Sequence, residues 1–428
     1  MSLSMGNAPL DCTTARSDSS HDETVDPLLV RRVLEAPRYA QAKFAERIDR
    51  LPYFRRIESP SGPHIVAEGR TLANFASNDY LGMANDPRVI RGAREALDRW
   101  GFGVTGSRLM NGNLVLHGEL EEEIAGFLAR EASLVFPTGY TANLGLLAGL
   151  LRPSDVVVAD QEIHASCLDG ARLSGARLRR FRHNDVASCA QIIERESVSP
   201  SMCVIEGVYS MSGDIAPVRA IADLCRRSKT MLVVDEAHAL GVVGATGGGA
   251  VEESNATRDV DAVVLTFSKA LGGCGGAVAG SRGMIDALRF SARPFLFTAS
   301  STPSSIAGAL TALRILARNP DYSRAPSEHA SSFAEILTTR GVERLYGGGA
   351  IVSVPTGSDL RTAQAWKMLW NRSIYCNASM TPAVPPGAGA LRFSFIRTQL
   401  PKEISHAANT CAMVLEEIGL LDGGDEIA

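Results

Sequence analysis

Short, β-branched apolar runs recur through the middle of the chain, and each is closely followed by a side chain that can do chemistry. The runs lie at 134–136, 156–158, 203–205, 231–234, 262–265 and 277–279, with helical stretches between them. Continuous apolar strands separated by helices predict a mostly parallel sheet covered on both faces. In such open α/β sheets the carboxyl ends of the strands form the ligand crevice. Thr138 and Gly139, Asp160 and His164, Glu206 and Ser210, Asp235 and His238, then Thr266, Ser268 and Lys269 are therefore expected to converge, although they are scattered in sequence.

A chain of 428 residues suits one large domain with a smaller companion. The expected organisation is an unfolded leader over 1–25, a helical segment over 26–64 that docks on the body, a large domain over 65–303 and a small C-terminal α+β domain over 304–428. In the last of these, 341–354 and 391–395 read as strands and 405–419 as a closing helix. No internal repeat is present. With 43 basic against 47 acidic residues, net charge −4, the composition argues against a nucleic-acid or anionic-membrane binder. No apolar run approaches the length of a membrane span. The leader lacks the pattern of a secretory signal and the 8 cysteines show no pairing rhythm, so a cytoplasmic protein with reduced thiols and no metal site is expected.

Asp235 ends a very apolar strand, where a carboxylate needs a cation or hydrogen bonds. An Arg or a backbone turn would serve. A sharper possibility is the protonated nitrogen of a heteroaromatic cofactor, because the next strand supplies Lys269, flanked by Thr266, Ser268 and a glycine run. A lysine so placed can form a Schiff base with a carbonyl cofactor while its neighbours hold a phosphate. Thr138, Gly139 and Tyr140 open a helix after a strand, and the free N–H groups of such a turn suit a phosphate, although a plain N-cap has the same appearance. His164 could stack on the cofactor ring or be an ordinary structural histidine. His117 is assigned no role. The glycines at 101, 103 and 106 match G-x-G-x-x-G but follow a helical pattern rather than a strand, and those at 247–249 lack a P-loop's Lys-Ser/Thr ending.

In chain order the sequence carries SNDYLG at 77–82, GSRLMNGNLVLHGELE at 106–121, FPTGYTAN at 136–143, HASCLDGARLSGA at 164–176, FRHND at 181–185, EGVYSMSGD at 206–214, VDEAHALGVVG at 234–244, TFSKALGGCGG at 266–276 and VPPGAGALRFSF at 384–395. With these motifs it resembles the α-oxoamine synthases, pyridoxal 5'-phosphate (PLP) enzymes of the fold-type I, aspartate-aminotransferase-like class. The resemblance implies that the large domain binds PLP. It makes Lys269 the residue that bonds the cofactor, Asp235 the partner of its ring nitrogen, His238 a contact to its phenolic oxygen and His164 the stacking residue. Thr138, Gly139, Tyr140, Thr266 and Ser268 match the phosphate side, Asn78, Ser210 and Arg392 match positions that handle the substrate carboxylate, and Ser210 is expected to contact the cofactor as well. Thr298 resembles a phosphate contact made from the neighbouring subunit, which implies a homodimer with shared sites. Ser212 and Gly248 depart from the family, which often has Asp and Arg there.

The implied reaction condenses a small amino acid with an acyl thioester, on coenzyme A or a carrier protein, with decarboxylation to an α-amino ketone. Two other readings stay open. Transamination or aldol cleavage would use the same Lys269 and Asp235, and a noncatalytic cofactor-binding module would use the fold alone.

Overall fold

The computed structural model describes residues 27–47, 49, 51–196 and 201–421, so the expected leader lies outside the described residues. The chain divides into two compact units, Met1–Leu51 and Pro52–Ala428. The described part of the first holds two helices, Leu28–Leu34 and Pro37–Arg47.

Within the second unit the strands in chain order are β1 (His64–Ala67), β2 (Arg70–Phe75), β3 (Ala132–Phe136), β4 (Val156–Asp160), β5 (Arg177–Phe181), β6 (Ser201–Glu206), β7 (Met231–Asp235), β8 (Ala262–Thr266), β9 (Gly276–Gly280), β10 (Tyr346–Gly347), β11 (Ile351–Gly357), β12 (Ile374–Ser379) and β13 (Gly389–Ser394). They form a seven-stranded sheet, ordered β3-β9-β8-β7-β6-β4-β5, and a six-stranded sheet, ordered β1-β2-β12-β13-β11-β10. In the larger sheet β9 runs antiparallel to β3 and β8, and the remaining pairs are parallel.

The apolar runs become the central strands for a simple reason. β4, β8 and β9 are buried at every position and β6 and β7 at all but their first, so both faces need apolar cover. β5, with sequence RLRRF, is an edge strand whose arginines face water and blunt the edge. Its charge is also why hydropathy alone does not find it. Helices Pro87–Trp100 and Pro303–Arg318 pack so closely that a Cβ on Gly92 would come within 2.4 Å of the Thr311 hydroxyl.

One expected boundary differs. Position 65 does not open the large sheet: β1 and β2 form a hairpin, and β2 pairs in parallel with β12 through Ala73–Ile374, Asn74–Tyr375 and Phe75–Cys376. The partner of β2 thus lies near the other end of the chain. In the smaller sheet the expected strand at 341–354 is confined to β10 and β11, and β12 was not foreseen. The closing helix runs Pro401–Glu417. Behind this sheet Phe75, Phe333, Phe393 and Phe395 pack as one aromatic cluster, with ring centroids 4.6 to 6.4 Å apart.

Gly101 ends the helix Pro87–Trp100 at φ 79°, so the glycines after it follow a helix, not a strand. Among the described residues no helix is long and apolar enough to cross a membrane, and no group of three or more His, Cys, Asp or Glu could hold a metal ion. The described cysteines are free thiols.

Candidate active site

Four parallel strands end side by side with a polar residue, Asp160 on β4, Glu206 on β6, Asp235 on β7 and Thr266 on β8. The register places Glu206 opposite Asp235. Lys269 comes three residues after Thr266, just past the end of β8, and is half-buried. Burial pushes its amine down to about 8, against the pull of Asp235 and Glu206. Burial and the field of Asp235 in turn push the Glu206 carboxyl up to about 8. Lys269 and Glu206 thus lie in one another's electrostatic field, with the Asp235 carboxylate acting on both.

Asp235 is 4% exposed and is held from two sides. Its Oδ1 accepts the N–H of Ala237 at 3.0 Å, and its Oδ2 accepts Asn143 Nδ2 at 2.7 Å. Asn143 Nδ2 also donates to Ser166 Oγ at 2.9 Å, and Ser166 Oγ contacts His164 Nδ1 at 2.7 Å. The N–H of Ser166 donates to the same His164 Nδ1 at 3.3 Å, so that nitrogen is an acceptor and the His164 proton sits on Nε2. Tyr140 meets His164 edge-on, centroids 6.4 Å apart, and donates its hydroxyl to Asp169.

Asn143 stands in the FPTGYTAN motif but was given no role in the sequence reading. The signal was present: four residues after Gly139, it lies on the same face of the helix Gly139–Leu150 as the turn that opens it. Ser166 and Tyr80 were likewise missed, and nothing in their spacing marks them.

Thr138 caps that helix, accepting the N–H of Thr141 at 3.0 Å on its side chain and that of Ala142 at 3.0 Å on its carbonyl. The first-turn N–H groups of Gly139 and Tyr140 are thereby left for a ligand. Gly139 must be glycine, because a Cβ there would come within 2.7 Å of Thr266 Cβ. The Thr266 and Ser268 hydroxyls lie 2.8 Å apart beside it. An anion at this turn therefore has backbone donors, two hydroxyls and no side chain in the way. Thr298 does not join this group: it lines a small pocket with Arg108, His117, Pro137 and Ser300. There His117 accepts the N–H of Leu114 on Nδ1 and contacts Ser300 Oγ at 2.7 Å through Nε2, a buried structural tie.

On the other side, His238 Nδ1 shares a 2.6 Å hydrogen bond with the Tyr80 hydroxyl. Burial and the nearby Lys269 and Arg392 cations hold the His238 pKa well below its ordinary value, so the ring is neutral. Arg392, on β13 and 5% exposed, donates from Nε to the Ser210 carbonyl at 2.5 Å, from Nη1 to Ser394 Oγ at 2.7 Å and from Nη2 to Asn78 Oδ1 at 3.2 Å. Asn78, Ser210 and Arg392, grouped above only through the family resemblance, are thus brought together from both sheets.

These residues fit PLP. They include an amine of depressed pKa, a fixed buried carboxylate for a cationic ring nitrogen, an anion turn that a Cβ would fill, and two buried oxygens without a partner, Asn143 Oδ1 and Glu206 Oε1, at the centre.

Comparison with known proteins agrees. Residues 70–409 match the family described as aminotransferase class I and II. The chain is 34% identical over 366 residues to serine palmitoyltransferase of Sphingobacterium spiritivorum, spanning 85% of this chain and 92% of that protein. It is 37% identical over 374 residues to 8-amino-7-oxononanoate synthase of Pseudomonas putida, spanning 87% and 96%. A solved serine palmitoyltransferase from S. paucimobilis, with a bound PLP–myriocin adduct, superposes with a TM-score of 0.88 at 31% identity, over 92% of this chain and 100% of that one.

Proposed function

The chain belongs to the α-oxoamine synthases of the class I and II aminotransferase family, and from that premise we propose that Lys269, Asp235 and Arg392 divide the work of its site between proton transfer, cofactor charge and substrate carboxylate. It is a PLP-dependent acyltransferase of fold type I that condenses an amino acid with an acyl thioester, with decarboxylation. What supports the residue assignment is that Arg392, carried by the smaller sheet and fixed by Asn78 and Ser210, lies near enough for its charge to act on Lys269 at the edge of the larger sheet, a lysine with its pKa lowered to about 8.

When bound, PLP supplies an electron sink for negative charge at the amino acid's α-carbon. Lys269 is the group placed to take the α proton, since its amine is neutral in an appreciable fraction of molecules near pH 7 to 8. Asp235, oriented by Asn143 and the Ala237 N–H, favours a proton on the cofactor's ring nitrogen. His238 stays neutral beside Tyr80 and offers a hydrogen bond to the phenolic oxygen. His164, with its proton on Nε2, is the residue that would stack on the cofactor ring. Gly139, Tyr140, Thr266 and Ser268, at the turn capped by Thr138, hold the phosphate. Arg392 binds the amino acid's carboxylate by charge-assisted hydrogen bonds, with Asn78 and Ser210 fixing its plane.

A homodimer belongs to the same reading, with Thr298 contacting the phosphate of the other subunit. Phe102, Leu109, Met110 and Phe297 are all exposed, by 50% or more, and Ser300 N–H donates to Gly106 O, which sets the two segments side by side. Such an apolar face on a folded chain supports a partner copy. A cytoplasmic location and an acyl donor on coenzyme A or a carrier protein complete the proposal.

The test is product analysis. Holoenzyme with a panel of glycine, L-alanine and L-serine and a series of acyl thioesters should release carbon dioxide and free thiol in equal amounts and yield an α-amino ketone by mass spectrometry. Keto-acid formation with neither released would identify a transaminase instead.

A further inference from the structure

His183, in the FRHND motif, stands apart from the cluster around Lys269, yet carboxylates engage both of its ring nitrogens. Nδ1 donates to Asp160 Oδ1 at 2.9 Å and Nε2 to Asp214 Oδ2 at 2.8 Å. A neutral imidazole has a single N–H, so two such acceptors call for the imidazolium. Burial opposes that charge, but the hydrogen bonds and fields of Asp160 and Asp214 raise the pKa to about 10. Glu162 Oε2 lies 3.8 Å from Nε2, and Tyr209 packs edge-on against the ring with centroids 4.4 Å apart.

The two jaws of this clamp belong to different parts. Asp160 is fully buried at the end of β4, where it also accepts the N–H groups of Glu162 and Asn184 at 2.8 Å each, so it is fixed to the sheet. Asp214 belongs to the turn after β6. Its carboxylate accepts Asn184 Nδ2 at 2.6 Å and the Ser212 hydroxyl, and its carbonyl accepts the N–H of Tyr209 at 3.0 Å. Ser210 sits in this same turn, and its carbonyl is the acceptor of Arg392 Nε. From the smaller sheet the turn is braced at Gly213, φ 84°, where a Cβ would come within 2.8 Å of Ile351 on β11.

We propose that His183 is a positioning residue for the substrate carboxylate: by bridging Asp160 and Asp214 it holds the turn at 207–216 in place, so that the Ser210 carbonyl keeps Arg392 aimed. The proposal rests on the reading of Arg392 as the carboxylate contact. The hydrogen-bond partners of His183 are Asp160, Asp214 and Asn184, none of them a residue assigned to the cofactor, so its loss is expected to act on amino-acid affinity rather than on cofactor content.

The experiment is a double-mutant cycle on full-length holoenzyme, with glycine, L-alanine and L-serine as probes and the visible absorbance change as the signal. We expect R392A to weaken binding about ten- to a hundredfold, H183Q about three- to tenfold, and H183Q to add nothing once Arg392 is absent. H183K, whose ammonium can donate to both carboxylates, should restore part of the lost affinity. Deuterium uptake over 207–216 should rise in H183Q while that over β7 and β8 does not. Should H183Q not fold, D214N opens the clamp from its other jaw and enters the same cycle. Wild-type affinity in R392A would overturn the carboxylate reading itself. Weakened R392A together with wild-type affinity in H183Q, additive losses in the double mutant, or unchanged uptake over 207–216 would overturn the clamp.

Discussion

The two halves of the site are built in opposite ways. The half around Lys269 and Asp235 stands on adjacent strand ends of one sheet, Asp235 on the last residue of β7 and Lys269 just past the end of β8. The half around Arg392 is assembled from Asn78, from the turn holding Ser210 and from β13 of the other sheet. In the first half the backbone ladder fixes geometry, and a substitution removes a chemical function while the frame stays. In the second, side chains and a carbonyl fix one another, and a substitution loosens its neighbours too. Chemistry should therefore respond steeply to changes in the first half, and affinity gradually to changes in the second.

The largest expected effect is Lys269→Ala. Among the described residues Lys269 is the lysine that follows these strand ends, so the borohydride-trappable link seen by mass spectrometry should disappear completely. A persisting adduct would place that bond elsewhere and break the contrast at its root. Asp235→Asn comes next. An amide cannot favour the ring-nitrogen proton, so exchange of the amino acid's α proton should fall by about 100-fold or more, the scale of a lost charged partner in a buried site. Cofactor content measured by absorbance should remain. Wild-type exchange in that variant would show that the carboxylate only supports the fold.

Arg392→Ala probes the second half. The amino acid should bind about ten- to a hundredfold more weakly, as the 1.5 to 3 kcal/mol of a charge-assisted contact implies, with cofactor content unchanged. If the chemical step fell instead while affinity held, the supposed division between the two halves would be wrong.

The same contrast explains what could be read in the sequence. Lys269, Asp235, His238 and Thr266 announce themselves because an apolar strand ending in a polar group is a local pattern, and the sheet does the rest. The β1–β2 hairpin was not read as strands at all, and its parallel pairing with β12 leaves no local trace. Asn143 and Ser166 stayed hidden because their role is to hold Asp235 and His164, a matter of distances after folding. The meeting of Asn78, Ser210 and Arg392 came from family resemblance alone, since no spacing links three segments so far apart.

The smallest effect is the one that reaches outside the site, and it has a pH signature. The folded-state pKa of His183, about 10, lies above the ordinary 6.5, so the folded chain binds this proton more tightly than the unfolded chain does. Its contribution is complete below about pH 6.5 and is lost as pH rises towards 10. Compared with H183Q, the wild-type chain should therefore be more stable by about 2 kcal/mol at pH 6, the scale of a charge-assisted hydrogen bond, and the margin should shrink steadily up to pH 10. Lys269 and Glu206 also titrate in this window, but both chains carry them, and they cancel in the difference. The groups facing His183 do not interfere: Asp214 is shifted down, and burial raises the Tyr209 phenol further above its already high ordinary value. Glu162, raised by burial from a carboxylate's low starting value, is present in both chains as well. Denaturant midpoints of the two chains across pH 6 to 10 measure the margin directly. A constant difference across that range would mean that folding does not raise the proton affinity of His183, and a margin that grows with pH would mean that the ring is neutral in the fold; either would leave the turn carrying Ser210 held by packing alone.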